Sequence, residues 1–157
     1  MTVETNSQAP DFTAPATGEQ TLSLADFAGQ MLVLYFYPRD NTPGCTKEGE
    51  AFRDQYDDFR AAGAAVVGIS RDSLTQHEKF KAKYDFPFDL IADTDETICQ
   101  AYGVLKEKNM YGKKRIGIER STFLIDGESA VRRVWRGVKV DGHAAEVLAA
   151  IHELQAE

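Results

Sequence analysis

The run Leu32-Val33-Leu34-Tyr35-Phe36-Tyr37, stopped by Pro38, constrains the fold more than any other stretch of this chain. Six apolar or aromatic residues without a polar break read as a strand buried on both faces. Such a strand sits inside a sheet and needs elements packed over each side. The loop that follows carries Pro38, Pro43 and Gly44, so it is stiff and tightly turned. Cys45 comes last, in the first turn of a segment with helical spacing. Free backbone N–H groups and the positive end of the helix dipole face a group placed there. Both favour a thiolate, which is the nucleophilic form of cysteine. The alternative for any lone cysteine is a small buried hydrophobe.

The flanking segments supply the rest of the architecture. Residues 1–10 read as a loose lead-in. Pro10–Thr13 and Gln20–Leu24 are short strand candidates around a Gly18-Glu19 turn, and Asp26–Gly29 is a helical turn closed by glycine. Thr46–Ala62 reads as one helix, with Phe52, Tyr56 and Phe59 on one stripe and Gly63 as its stop. Ala64–Ile69 is a second buried strand. Ser73 and Gln76 have capping-box spacing before a helix that carries His77, Phe80 and Tyr84 on one face. His77 is read as a partly buried or surface histidine, with proton transfer as the sharper alternative. Phe88–Ala92 is a third strand. Asp93–Glu96 then starts a short helix holding Ile98, Cys99 and Tyr102, with the acids at its positive end rather than around a metal ion. Leu105–Glu119 reads as a long irregular connection, a solvated basic face by default, with a place at the edge of the active site as the alternative, since loops on rigid scaffolds often take it. Thr122–Ile125, the Asp126-Gly127 turn and Ala130–Arg136 form a hairpin. Gly142–Leu154 is a final helix with Asp141 as its cap.

This order of strands and helices predicts an α/β fold, a central mixed sheet with helices on both faces, in a single domain over 1–157. A net charge of −7 argues against a nucleic-acid or anionic-membrane partner. No apolar run approaches the ~20 residues of a membrane span. The first residues lack the basic and apolar regions of a signal peptide. With only two cysteines, the expectation is a reducing, cytoplasmic setting in which thiols serve chemistry. His77, His143 and His152 are scattered, and no phosphate loop follows a strand, so neither a metal nor a cofactor is expected.

Pro38, Thr42 and Cys45 stand in the spacing P-x-x-x-T-x-x-C, which resembles the active-site loop of peroxiredoxins. The longer string Phe36-Tyr37-Pro38 to Thr42-Pro43-Gly44-Cys45-Thr46 is similar to the peroxiredoxin Q branch, also called bacterioferritin comigratory protein. Ala9-Pro10-Asp11-Phe12 and Gly29-Gln30 resemble the start of that family. Gly117-Ile118-Glu119-Arg120-Ser121-Thr122-Phe123-Leu124-Ile125-Asp126 resembles its G-I-x-R-x-T-F-L-I-D string. The resemblance implies a thioredoxin-like fold with an N-terminal addition. It also implies a thiol-dependent peroxidase that reduces hydrogen peroxide and organic hydroperoxides, with Cys45 becoming a sulfenic acid.

Within that resemblance Arg120 is the arginine that reaches the cysteine; without it, a surface ion pair is the plainer reading. Thr42 offers a hydroxyl that can accept from the peroxide and touch the sulfur. Glu48 either orients Arg120 or is an exposed first-turn acid. Pro38 shields the loop and sets its turn. The chain departs from the family at the resolving thiol. Positions 50 and 81, where relatives carry it, hold Glu50 and Lys81. Cys99 is the remaining internal candidate and reads first as a buried, inert thiol. The expected cycle is therefore one-cysteine-like, resolved by thioredoxin, glutaredoxin or a small thiol, in a monomer or weak homodimer. The rivals are a redox sensor or transfer module, a two-cysteine peroxidase resolved by Cys99, and a holdase-like scaffold. A C-x-x-C oxidoreductase is excluded, because Thr42 stands where its first cysteine belongs.

Overall fold

A computed structural model describes residues 3–157. Nine strands and five α-helices alternate in the order expected of an α/β fold. The apolar run forms the strand β3 (Met31–Phe36), and it lies inside a seven-stranded mixed sheet. Its neighbours are β4 (Ala64–Ser70), which is parallel, and β8 (Ser121–Ile125), which is antiparallel. Beyond β4 comes β5 (Asp89–Ala92), then β1 (Thr13–Ala16) and β2 (Gln20–Ser23); beyond β8 comes β9 (Val131–Arg136). Strands buried on both faces have no polar alternation, which is why β3 and β4 read as near-continuous apolar runs; in β8 the polar Ser121 and Thr122 are buried as well.

Alternate residues of β3 feed two separate cores. Leu32, Leu34 and Phe36 face one side with Val67, Ile69 and Phe123; Val33, Tyr35 and Tyr37 face the other with Val66, Leu90 and Leu124. Each fully buried side chain of this kind contributes roughly 2 kcal/mol of transfer free energy. The helices divide unequally between the faces. The second core takes Phe52 of α1 (Pro43–Asp54), Phe59 of α2 (Tyr56–Ala61), Phe80 of α3 (Leu74–Tyr84) and Val147 and Ile151 of α5 (His143–Gln155). The first takes α4 (Thr97–Ala101), with Ile98 and Cys99, together with Phe12, Leu22 and Leu24 of the N-terminal region.

Several expectations need correction. The helix drawn over Thr46–Ala62 starts earlier, at Pro43, and turns at Gln55 (φ −107°, ψ 9°). No Pro or Gly announces that turn. It brings Tyr56 to Phe88 while Phe52 stacks on Tyr35. The first strand is Thr13–Ala16, not Pro10–Thr13, although the Gly18-Glu19 turn stands where expected, with both residues at positive φ. The lead-in is not loose over its described part: Val3 and Ala9 are buried, and Asn6 N–H donates to Val131 O at 2.7 Å. Met1 and Thr2 lie outside the described residues. Asp141 does not cap the last helix; Gly142 occupies that position and Asp141 pairs with Lys47.

The largest correction concerns Leu105–Glu119. It is a regular hairpin, β6 (Leu105–Met110) paired antiparallel with β7 (Lys113–Ile118), forming its own two-stranded sheet. Tyr111 and Gly112 join the strands, both at positive φ (54° and 76°), the requirement of a type I′ turn. Tyr-Gly is not the usual Asn-Gly signal, and charged strands exposed on both faces give no apolar alternation to read.

Candidate active site

Two strand ends meet at the site. The register of β3 with β8 sets Phe36 opposite Ser121, so the chain leaving β3 and the residue entering β8 lie at one edge of the sheet. The first leads through Pro38 to Cys45; the second is Arg120. Thr42 is the N-cap residue of α1, extended at φ −93° and ψ 156°, and Pro43 fills the first helical position, where no N–H is needed. Cys45 therefore sits in the first turn, buried to 2% exposure. Its Sγ lies 3.5 Å from Arg120 Nη2.

Glu48 follows one turn later on the same side of α1 and is also buried. Its Oε1 accepts from Arg120 Nη1 at 2.7 Å. The exposed first-turn acid is thus the wrong alternative, and the orienting one fits. Burial pushes the Glu48 carboxyl up to about 7, while the Arg120 charge pulls against that rise. Burial also works against the charge on Arg120, but Glu48 and then Cys45 outweigh it and hold the guanidinium firmly protonated. Gly44 makes this approach close. A Cβ there would lie 3.1 Å from Arg120 Nη2, crowding a guanidinium that Glu48 already pins.

Thr42 is near but differently engaged. Its Oγ1 donates to Arg39 O at 2.9 Å rather than to the sulfur. The hydroxyl proton is thereby committed, and the oxygen keeps lone pairs for an incoming O–H. Pro38 is half-buried at the start of the loop.

The sequence reading missed what holds the loop from beneath. Asp40 Oδ1 accepts from Tyr37 Oη at 2.6 Å, and its Oδ2 lies 2.6 Å from His77 Nδ1. The other ring nitrogen faces Ile91 O at 2.8 Å. Asp40 N–H donates to Asp72 Oδ2 at 2.8 Å, an oxygen that also takes the Ser70 hydroxyl. His77 is fully buried with a carboxylate partner, not a surface or partly buried histidine. The ligating atoms of Asp40, Asp72 and His77 lie within 4.8 Å of one another. Their facing oxygens already accept O–H and N–H donors, so the cluster reads as a hydrogen-bond network tying the loop to α3. His77 shares the buried face of α3 with Phe80, a signal available in the sequence; Asp40, between Arg39 and Asn41, carried none.

His143 was also missed. It is buried with Nε2 2.8 Å from Thr122 Oγ1, and its ring stands edge-on to Phe52 and Trp135. Burial pushes the ring down to about 4, with Arg120 adding to the fall and Glu146 opposing it.

Cys99 is not brought to this site. It belongs to the core on the opposite face of the sheet from Cys45 and is fully buried. Burial, and then Asp93, push its thiol far up. Asp93 caps α4, accepting from the N–H groups of Ile98 at 3.1 Å and Cys99 at 2.8 Å. That matches the capping expected of the Asp93–Glu96 acids. Lys81 pairs with Asp89 at 2.8 Å.

The β6–β7 hairpin overhangs the loop. A cavity of about 620 Å³ opens there, with Pro38, Arg39 and Thr42 on one wall and Lys113, Arg115 and Ile116 on the other. The basic segment lines this cavity together with the loop, the alternative to a plain solvated face.

A family model described as AhpC/TSA matches residues 5–134. A Bacillus subtilis protein named peroxiredoxin Bcp is 44% identical over 154 residues, spanning 98% of each chain. Among solved structures, a mutant of Xylella fastidiosa PrxQ superposes with a TM-score of 0.94 at 42% identity, covering 100% of this chain and 99% of its own. Xanthomonas campestris bacterioferritin comigratory protein, solved as a trapped intermediate/ligand complex bearing on its alkyl peroxide reduction activity, superposes at 0.87 with 49% identity. That match covers 93% of this chain and 92% of the other.

Proposed function

Since the chain belongs to the AhpC/TSA family, among the Bcp and PrxQ peroxiredoxins of thioredoxin-like fold, and is thus a thiol-dependent peroxidase, we propose that Cys45 is its peroxidatic nucleophile. The observation that carries this is the Arg120 guanidinium, 3.5 Å from Sγ and pinned by Glu48. The Cys45 thiolate attacks the terminal oxygen of the hydroperoxide. An S–O bond forms as the O–O bond breaks, leaving a sulfenic acid and an alcohol, or water when the substrate is hydrogen peroxide. Arg120 neutralises the sulfur before attack and donates to the oxygens as charge moves onto the leaving group. Thr42 accepts from the peroxide O–H. Glu48 positions Arg120, and Pro38 sets and shields the loop. Hydrogen peroxide and organic hydroperoxides are the assigned substrates.

The cycle we assign is one-cysteine-like. Glu50 and Lys81 leave no thiol at the usual resolving positions. Cys99 lies across the sheet with a strongly disfavoured thiolate. Thioredoxin, glutaredoxin or a small thiol then reduces the sulfenic acid. No helix among the described residues is long and apolar enough to cross a membrane, and neither cysteine is paired. Both fit the cytoplasmic setting proposed here. Tyr111 and Ile116 are the large apolar side chains exposed among the described residues, which fits a monomer or weak homodimer. One sheet drawing strands from residue 13 to residue 136 supports a single domain over 1–157.

Stopped-flow oxidation by hydrogen peroxide tests the assignment. Cys45→Ser abolishes the reaction, and Arg120→Lys slows it by roughly 10²–10³-fold while the fold is kept. An Arg120→Lys protein as fast as the parent would remove the arginine from the mechanism.

A further inference from the structure

The cavity beside the loop has the wrong charge for its protein. The chain carries −7 overall, yet Arg39, Arg71, Lys108, Lys113 and Arg115 line this space and no acid does. Neighbouring lysines of the hairpin are matched: Lys106 pairs with Glu119 and Lys114 with Glu107. Arg39, Lys113 and Arg115 have no carboxylate within 4 Å among the described residues. The register of β6 with β7 also sets Lys108 directly opposite Arg115. Like charges facing each other across strands destabilise a hairpin. A hydroperoxide such as hydrogen peroxide is neutral and gains little from these charges. A co-substrate that is an anion gains directly from them.

Tyr111 and Ile116 add exposed apolar surface at the same place, at 100% and 61% exposure. A volume of about 620 Å³ falls within the range of small-ligand pockets and suits a peptide of a few residues. Thr42, which caps the helix that carries Cys45, lies in its wall.

We propose that this cavity is the docking site for a low-molecular-weight thiol bearing carboxylates, and that such a thiol resolves the Cys45 sulfenic acid. The proposal rests on the peroxidase reading of Cys45 and names its reductant class. The carboxylates sit among Arg39, Lys113 and Arg115, and the thiol faces the loop. Its sulfur attacks the sulfenic sulfur; an S–S bond forms, the S–O bond breaks and water leaves. A second molecule of the same thiol then attacks the mixed disulfide, which releases the symmetric disulfide and returns Cys45 as a thiol. Over the cycle two thiols are oxidised, and the hydroperoxide is reduced to an alcohol and water.

The test separates the two half-reactions. The full chain is first oxidised with an equivalent of hydrogen peroxide, and the sulfenic acid is read by dimedone capture and intact mass before any thiol is added. Failure at this stage strikes Cys45 as nucleophile, not the cavity. The oxidised protein is then mixed with glutathione, whose carboxylates are ionised, or with glutathione diethyl ester, whose carboxylates are blocked. At low ionic strength glutathione clears the sulfenic acid about tenfold faster than the ester, and high salt erases most of that advantage. The doubly substituted Lys113→Glu, Arg115→Glu protein loses the advantage at all salt concentrations; these exposed positions leave the core untouched. Equal rates for the two thiols overturn the proposal, as does an advantage that survives charge reversal. So does a charge and salt dependence found in the hydroperoxide step instead, or an acidic thiol protein that reacts while glutathione does not.

Discussion

Single side chains at this site are set by desolvation as much as by contact. Buried Glu48 and half-buried Arg120 form a largely desolvated pair, and such a pair is held by geometry rather than by net stability. In the proposed mechanism it keeps a long, flexible guanidinium beside the sulfur. His143 shows the other side of burial. Its ring is pushed down to about 4, so the folded state binds fewer protons than the unfolded state between pH 6.5 and 4. The neutral ring's contribution is therefore complete above pH 6.5 and is lost as pH falls toward 4. Linkage puts the loss at about 3 kcal/mol by pH 4. A His143→Gln variant followed by urea unfolding should give a flatter stability profile over that interval, and a slope identical to the parent's would exclude His143 as its source. Cys45 and Thr42 could be singled out from the loop's own residues, whereas Arg120 was reached only through the resemblance of its string, since by itself such an arginine reads as part of a surface ion pair. Asp40 and His143 were not legible, and His77 only in its place on the buried face of α3, because a buried polar group is recognised by its partners, and the Asp40–His77 and Thr122–His143 pairs join residues far apart in the chain.

Helices and strands followed local rules where their own residues carried the signal. Ser73 and Gln76 close the capping box on α3 as their spacing announced. The turn at Gln55 and the β6–β7 hairpin escaped, since packing made the first and a Tyr-Gly turn the second. Gly49 is a case where local and tertiary preferences conflict. Mid-helix glycine costs about 1 kcal/mol relative to alanine, so propensity alone favours Gly49→Ala. A Cβ there would sit 2.4 Å from Phe86 Cζ. That ring is buried, stacked on Phe88 and edge-on to Phe80, and has little room to retreat. Gly49→Ala should therefore destabilise the protein by roughly 1–3 kcal/mol, seen as a lower urea midpoint. A raised midpoint would mean that the ring yields.

Over the whole molecule, the sheet acts as a wall between the two cysteines. Cys45 and Cys99 belong to cores on opposite faces, so joining them requires opening a core rather than fraying a helix. Cys99→Ala should keep peroxide turnover with an external thiol and cost on the order of 1 kcal/mol of stability through lost packing. Loss of turnover in that folded variant, or an internal disulfide in the mass of the peroxide-treated protein, would reinstate Cys99 as the resolving thiol. The sequence by itself determined the buried strand, the stiff turn and the cysteine at the helix start, because each rests on residues adjacent in the chain; that positions 50 and 81 lack the family's second thiol could be read there only beside the resemblance. Only the tertiary structure decided which side of the sheet each cysteine takes, how Glu48 holds Arg120, and that a basic hairpin leans over the loop. Those depend on strand order and register, which bring together residues dozens of positions apart and leave no local trace.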